Sequence, residues 1–94
     1  MNLSFAPKAA RDIEEIGDYI ARDSQRRAAI FINELEVHCY QIAKMPSAFP
    51  SREDLAVGLQ MAVHGNYLIF FLVQEEIVRI ERIIHGARRI SDLF

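Results

Sequence analysis

GLQMAVHGNYLIFFLV, residues 58–73, is the stretch whose reading decides the fold. Two apolar runs, LQMAV and YLIFFLV, flank HGNY, where Gly65 and Asn66 suit the positive φ that a two-residue hairpin turn requires. The second run is continuously apolar, as expected of a central strand buried on both faces. Gln74, Glu75 and Glu76 form another tight link into IVRIERII. There Val78, Ile80, Arg82 and Ile84 should point to one face and Ile77, Arg79, Glu81 and Ile83 to the other. Neither face is uniformly apolar, so the alternation is imperfect on both.

Upstream of this β unit the period changes. NLSFA reads as a short strand, and Pro7 suits a first helical position because its missing N–H would be unpaired there anyway. Ala9, Ile13, Ile16 and Ile20 then make an apolar helical stripe, with Asp12, Glu14, Glu15, Asp18 and Arg22 lying off it. RDSQ breaks the pattern, and Asp23 or Ser24 can cap a second helix whose stripe runs through Ala28, Phe31, Ile32, Leu35, Cys39 and Ile42. The short connection predicts an antiparallel helical hairpin. MPSAFPSREDLAVG, with two prolines and a glycine, reads as an irregular loop. The order predicts an α+β architecture, with an N-terminal strand, a two-helix hairpin packed on one face of a small, mainly antiparallel sheet, and a short C-terminal tail. The opposite face is expected to be open, and spacing alone does not tell which strand the first one pairs with.

With 94 residues, half of them apolar, the chain is expected to form one domain over residues 1–94. A net charge of -2 argues against a surface that binds nucleic acid as a whole. Cys39 is the only cysteine, which excludes an intramolecular disulfide and fits a reducing compartment. The N-terminus shows no apolar signal segment, and the longest apolar run is far below the ~18 residues needed to cross a bilayer. A cytoplasmic protein with no membrane partner is the expectation.

Arg79, Arg82, Arg88 and Arg89, with His85 and a single glutamate, give residues 79–89 a charge of about +3. Arginine forks suit phosphate, carboxylate or backbone recognition; the alternative is a solvated face that balances the acidic first helix. His85 beside Arg82 could serve as a general base near a charge stabiliser, or simply cap a strand end. His38, His64 and His85 lack metal-ligand spacing, and the glycines are isolated, so neither a metal site nor a nucleotide cofactor is expected. Leu93 and Phe94 at the apolar tip should either pack onto the domain or meet a partner.

GLQMAVHGNYLIFFLV and IERIIHGARRISDLF, together with LSFAPKAARDIEEIGDYIA and MPSAFPSR, resemble ParE toxins within the RelE/ParE superfamily of type II toxin–antitoxin systems. The resemblance spans nearly the whole chain and implies the same helical-hairpin-on-sheet fold. It also implies a bacterial growth inhibitor of the plasmid-stabilization kind, held inactive in a hetero-oligomer with a cognate antitoxin, ParD-like or other. ParE-type members poison DNA gyrase and RelE-type members cut messenger RNA in the ribosome, so fold alone does not choose between them. Of the ribonuclease set only Arg82 and His85 have counterparts; Lys8 and Lys44 are the only lysines, and Gln60 stands where relatives commonly carry arginine. Ala6 replaces the usual serine or threonine before the helix-opening proline. The leading expectation is a gyrase-directed inhibitor without hydrolytic chemistry or direct nucleic-acid binding, with Arg88, Arg89, Leu93 and Phe94 as target contacts. The alternatives are a ribonuclease using Arg82 and His85, and an inactive relative that retains antitoxin binding.

Overall fold

The computed structural model describes residues 1–94. Along the chain run β1 (Asn2–Phe5), α1 (Pro7–Ala21), α2 (Gln25–Lys44), β2 (Gln60–His64), β3 (Tyr67–Gln74) and β4 (Ile77–His85), with short 3-10 turns at Pro46–Ala48 and Ile90–Leu93. The sheet order is β1-β4-β3-β2. Tight hairpins make β2, β3 and β4 antiparallel neighbours, while β1 lies parallel to β4 with Asn2 opposite Ile77 and Phe5 opposite Ile80. Parallel pairing needs a long crossover connection, and here everything from α1 to β3 supplies it.

Ala6 holds an extended conformation ahead of Pro7 and makes no side-chain cap. Its N–H instead donates to the Ile80 carbonyl at 2.8 Å, so the sheet fixes where α1 starts. Ser24 caps α2 as expected, its Oγ accepting from Arg27 N–H at 3.2 Å. The α2 stripe buries Ala28, Leu35, Cys39, Ile42 and Ala43. Leu35, Cys39, Ile42 and Ala43 meet Ile69, Phe71, Val78, Ile80 and Ile83 from the sheet in the main core. Each fully buried Phe, Leu or Ile contributes roughly 1.5–3 kcal/mol by leaving water.

Strict alternation in β4 is broken by a bulge. Ile80 opposes Phe71 and Arg82 opposes Phe70, which leaves Glu81 without a counterpart on β3. One extra residue shifts the pleat by one position. Ile80 and Ile83, an odd number of residues apart, therefore both face the helices, and Ile84 faces the other side. This explains the imperfect alternation of IVRIERII.

The face opposite the helices is not open, as expected from the sequence, but partly covered. Leu59, Phe70 and Ile84 form a second small core, closed by Leu55, Ala56, Met61, Leu68, Leu72, Ile90 and Leu93 from the long loop, the sheet and the tail. The continuous apolarity of YLIFFLV serves both layers, since Ile69 and Phe71 enter the main core and Phe70 the second. Gln60 holds the loop down by donating from Nε2 to the Pro46 and Phe49 carbonyls at 2.8 and 3.1 Å. No helix is long and apolar enough to cross a membrane.

Candidate functional site

The end of β4 and the tail carry every residue singled out for target contact or catalysis. Arg82 is not free. Its Nε donates to Asp12 Oδ2 at 2.8 Å and its Nη2 to Oδ1 at 3.0 Å, while Asp12 Oδ2 also accepts from the Ile83 N–H at 2.9 Å. Both side chains are largely buried, and the paired carboxylate holds the Arg82 guanidinium above its ordinary pKa, chiefly through the hydrogen bonds.

Asp12 is therefore a core-edge anchor rather than part of the polar face of α1 that the sequence suggested. A signal was present: Asp12 lies three residues after Ala9 and four before Ile16, the other two buried positions of the helix. What the spacing lacked was the partner, which is 70 residues away.

Two of the other three arginines also have acidic neighbours. Arg79 Nε lies 3.0 Å from Glu81 Oε2, an oxygen that is shielded from solvent and has no well-aligned hydrogen bond. Arg89 Nε lies 3.7 Å from Asp92 Oδ2, but both are well exposed, so that pair is weak. Arg88 is exposed and makes no ion pair. Of the excess of about +3 in residues 79–89, which already counts Glu81, Asp12 offsets one charge and the exposed Asp92 a second only weakly.

His85 Nδ1 accepts from the Ala87 N–H at 3.1 Å, which places the proton of the neutral ring on Nε2. The ring meets Tyr67 edge-on at 5.3 Å. With Tyr19 and Arg88 these two line a shallow cavity of about 170 Å³. Burial, followed by the proximity of Tyr19, raises the Tyr67 pKa. Arg82 lines a different cavity, of about 400 Å³, together with Lys8, Arg79, Glu81, Leu93 and Phe94. The structure does not bring Arg82 and His85 into one reacting constellation.

The apolar tip folds back. The Phe94 ring lies 5.0 Å from that of Phe70 in an edge-on arrangement, and Leu93 joins the second core. Phe94 nevertheless stays 39% exposed. It is seated against Phe70 with part of the residue still accessible.

A further pair escaped sequence reasoning. His38 on α2 and His64 at the end of β2 place their Nδ1 atoms 2.9 Å apart. No group of three potential metal-ligating side chains accompanies them.

An antiparallel sheet with one parallel edge strand and a helical hairpin on one face is a fold that recurs in solved structures of toxin–antitoxin systems. Two solved structures illustrate it. The chromosomal ParDE system of P. aeruginosa matches with a TM-score of 0.78 and 19% identity, covering 90% of this chain and 95% of that one. The RelBE2 toxin–antitoxin complex of Mycobacterium tuberculosis matches with a TM-score of 0.65 and 21% identity, covering 89% and 95%. The family described as the ParE toxin of the type II toxin–antitoxin system parDE matches residues 3–90, and the chain belongs to that family. No curated protein matches the sequence.

Proposed function

We propose that this ParE-type toxin acts by contact with a protein target, DNA gyrase, and is neutralised in the cytoplasm by a cognate antitoxin. The observation that carries the reading is the Arg82–Asp12 pair. A ribonuclease needs a cation free to meet the charge that develops at phosphorus, and Arg82 has its fork filled by a carboxylate. His85 then stands without that partner, in a separate cavity.

Arg88, Arg89, Leu93 and Phe94 form the proposed target contact. Arginine and aromatic side chains dominate interface energies once desolvated. Phe94 is positioned by Phe70 yet partly exposed, and Arg88 has no internal acid to satisfy it. Being held in place before binding reduces the ordering cost that a loose tail would carry.

The test is induction in a bacterial host, with and without the antitoxin, combined with a cleavage assay on purified gyrase. The reading expects trapped, cleaved DNA and an induced damage response while translation continues. Rapid translational arrest with cut messages would overturn it in favour of a ribonuclease, and no growth defect would indicate an inactive relative. Deletion of residues 90–94 should abolish gyrase poisoning while antitoxin binding and the folded spectrum persist. If the truncated chain does not fold, Arg88→Ala with Arg89→Ala asks the same question on the intact core.

A further inference from the structure

The His38–His64 contact has no role in the target surface described above. It joins α2 to β2, the last strand of the sheet, whose outer edge is bridged only by Ser51 and its neighbours, and is the one side-chain hydrogen bond between α2 and the sheet. Two aromatic rings, Phe31 and Phe49, flank it, and Tyr67 packs behind Phe31. Phe31 of α2 meets His64 edge-on at 5.4 Å and Tyr67 of β3 at 5.6 Å, and Phe49, just after the first 3-10 turn, lies 6.5 Å from His38. We infer that the His38–His64 pair is a proton-operated latch, which fastens the edge strand β2 to α2 when it holds a single Nδ1 proton and releases it when both Nδ1 atoms are protonated.

The chemistry follows from the atoms that face each other. A neutral imidazole has one N–H and one lone pair, so one ring donates through Nδ1 and the other accepts at Nδ1. A first added proton can go to a free Nε2 and leave that bond intact. A second proton leaves two N–H groups and two positive charges facing each other at a separation of 2.9 Å, with no acceptor between them. The two rings therefore titrate as a coupled pair.

Few other charges intervene. Beside His64, β2 contributes no ionisable side chain, β3 contributes only Tyr67, and the 3-10 turn contributes none. From α2, Glu34 shares the shallow depression lined by His38, His64, Gln41, Asn33 and Val37. Burial, and secondarily His64, still holds His38 below the ordinary value of 6.5.

The sign is fixed by proton counting. The unfolded chain binds more protons than the folded one as the pH falls past 6.5, so the stabilising contribution is complete above that value. It is lost as the pH falls further, through the depressed folded value.

Histidine-ring NMR titration of the wild-type protein, with a chelator present, tests this directly, together with amide hydrogen exchange of β2. The latch predicts two apparent pKa values for His38 and His64 that are separated by more than about one unit, the mark of a coupled pair. Between the ordinary histidine value and the lower one, β2 opening should rise by up to about tenfold per pH unit after correction for intrinsic exchange, as one-proton linkage requires, and level off below it. His64→Phe keeps a ring beside Phe31 and should remove this pH dependence. Independent titration of both rings near the ordinary histidine value, or β2 exchange in the wild type with no acid-induced rise, overturns the proposal. The wild-type titration decides the matter even if a variant fails to fold.

Discussion

Asp12 and Arg82 meet through two parallel hydrogen bonds of 2.8 and 3.0 Å, and the same carboxylate takes the Ile83 N–H at 2.9 Å. One carboxylate thereby ties α1 to the strand just past the β4 bulge. Asp12→Ala leaves a mostly buried guanidinium and a buried backbone donor unpaired, and should lower stability by about 3 kcal/mol. Urea unfolding of the two proteins checks this. Asp12→Asn keeps acceptor and shape and should recover part of the loss.

Gln60 offers a second test, because here a donor faces two carbonyl oxygens, those of Pro46 and Phe49. Gln60→Glu replaces that donor with an acceptor and should cost about 1–3 kcal/mol at neutral pH. The folded state disfavours the ionised form of the new side chain, so its pKa is raised. The loss should therefore shrink as the pH falls through that raised value and level off below about 4.3, which a denaturant midpoint measured against wild type at each pH will show.

The turn between β3 and β4 is strained by its own residues. Glu75 and Glu76 both adopt positive φ, 47° and 67°, and they are adjacent like charges. Two-residue turns of this kind favour Asn-Gly. The double change Glu75→Asn with Glu76→Gly should raise stability by about 1–2 kcal/mol, read as a higher thermal midpoint. The Asn2 N–H bond to the residue 76 carbonyl is a backbone bond and should persist.

Cys39 is fully buried on α2, and burial, reinforced by Glu36, pushes its thiol up to about 12. Native protein at pH 8 should resist alkylation, and labelling should follow global unfolding. Because the folded pKa lies above the usual thiol value of 9.0, this contribution to stability is complete below pH 9 and is lost as the pH rises toward 12. Cys39→Ala removes that alkaline loss, which stability curves between pH 8 and 11 will reveal.

Phe94 packs edge-on against Phe70, yet remains partly exposed. An aromatic pair of this geometry contributes about 0.5–1.5 kcal/mol beyond its buried area, so Phe94→Ala should cost roughly 1 kcal/mol and leave the fold intact. Calorimetry gives that figure. A larger loss of growth inhibition than of stability separates target contact from packing.

Local patterns in the chain determined the elements themselves. Pro7 marked the start of α1, Ser24 capped α2, Gly65 turned the first hairpin at positive φ while Asn66, expected to do the same, did not, and the two apolar stripes chose the buried helix faces. All of these depend on neighbours within a turn or two, where spacing carries the information. Tertiary structure alone decided what depends on distant partners. It paired β1 with β4, inserted the bulge that swings Ile83 back to the helices, laid the tail over Phe70, and brought His38 to His64. It also bound Arg82 to Asp12, a partner no local pattern announced. A side chain's chemistry is set by what lies within a few ångströms, and across 70 residues no periodicity records that distance.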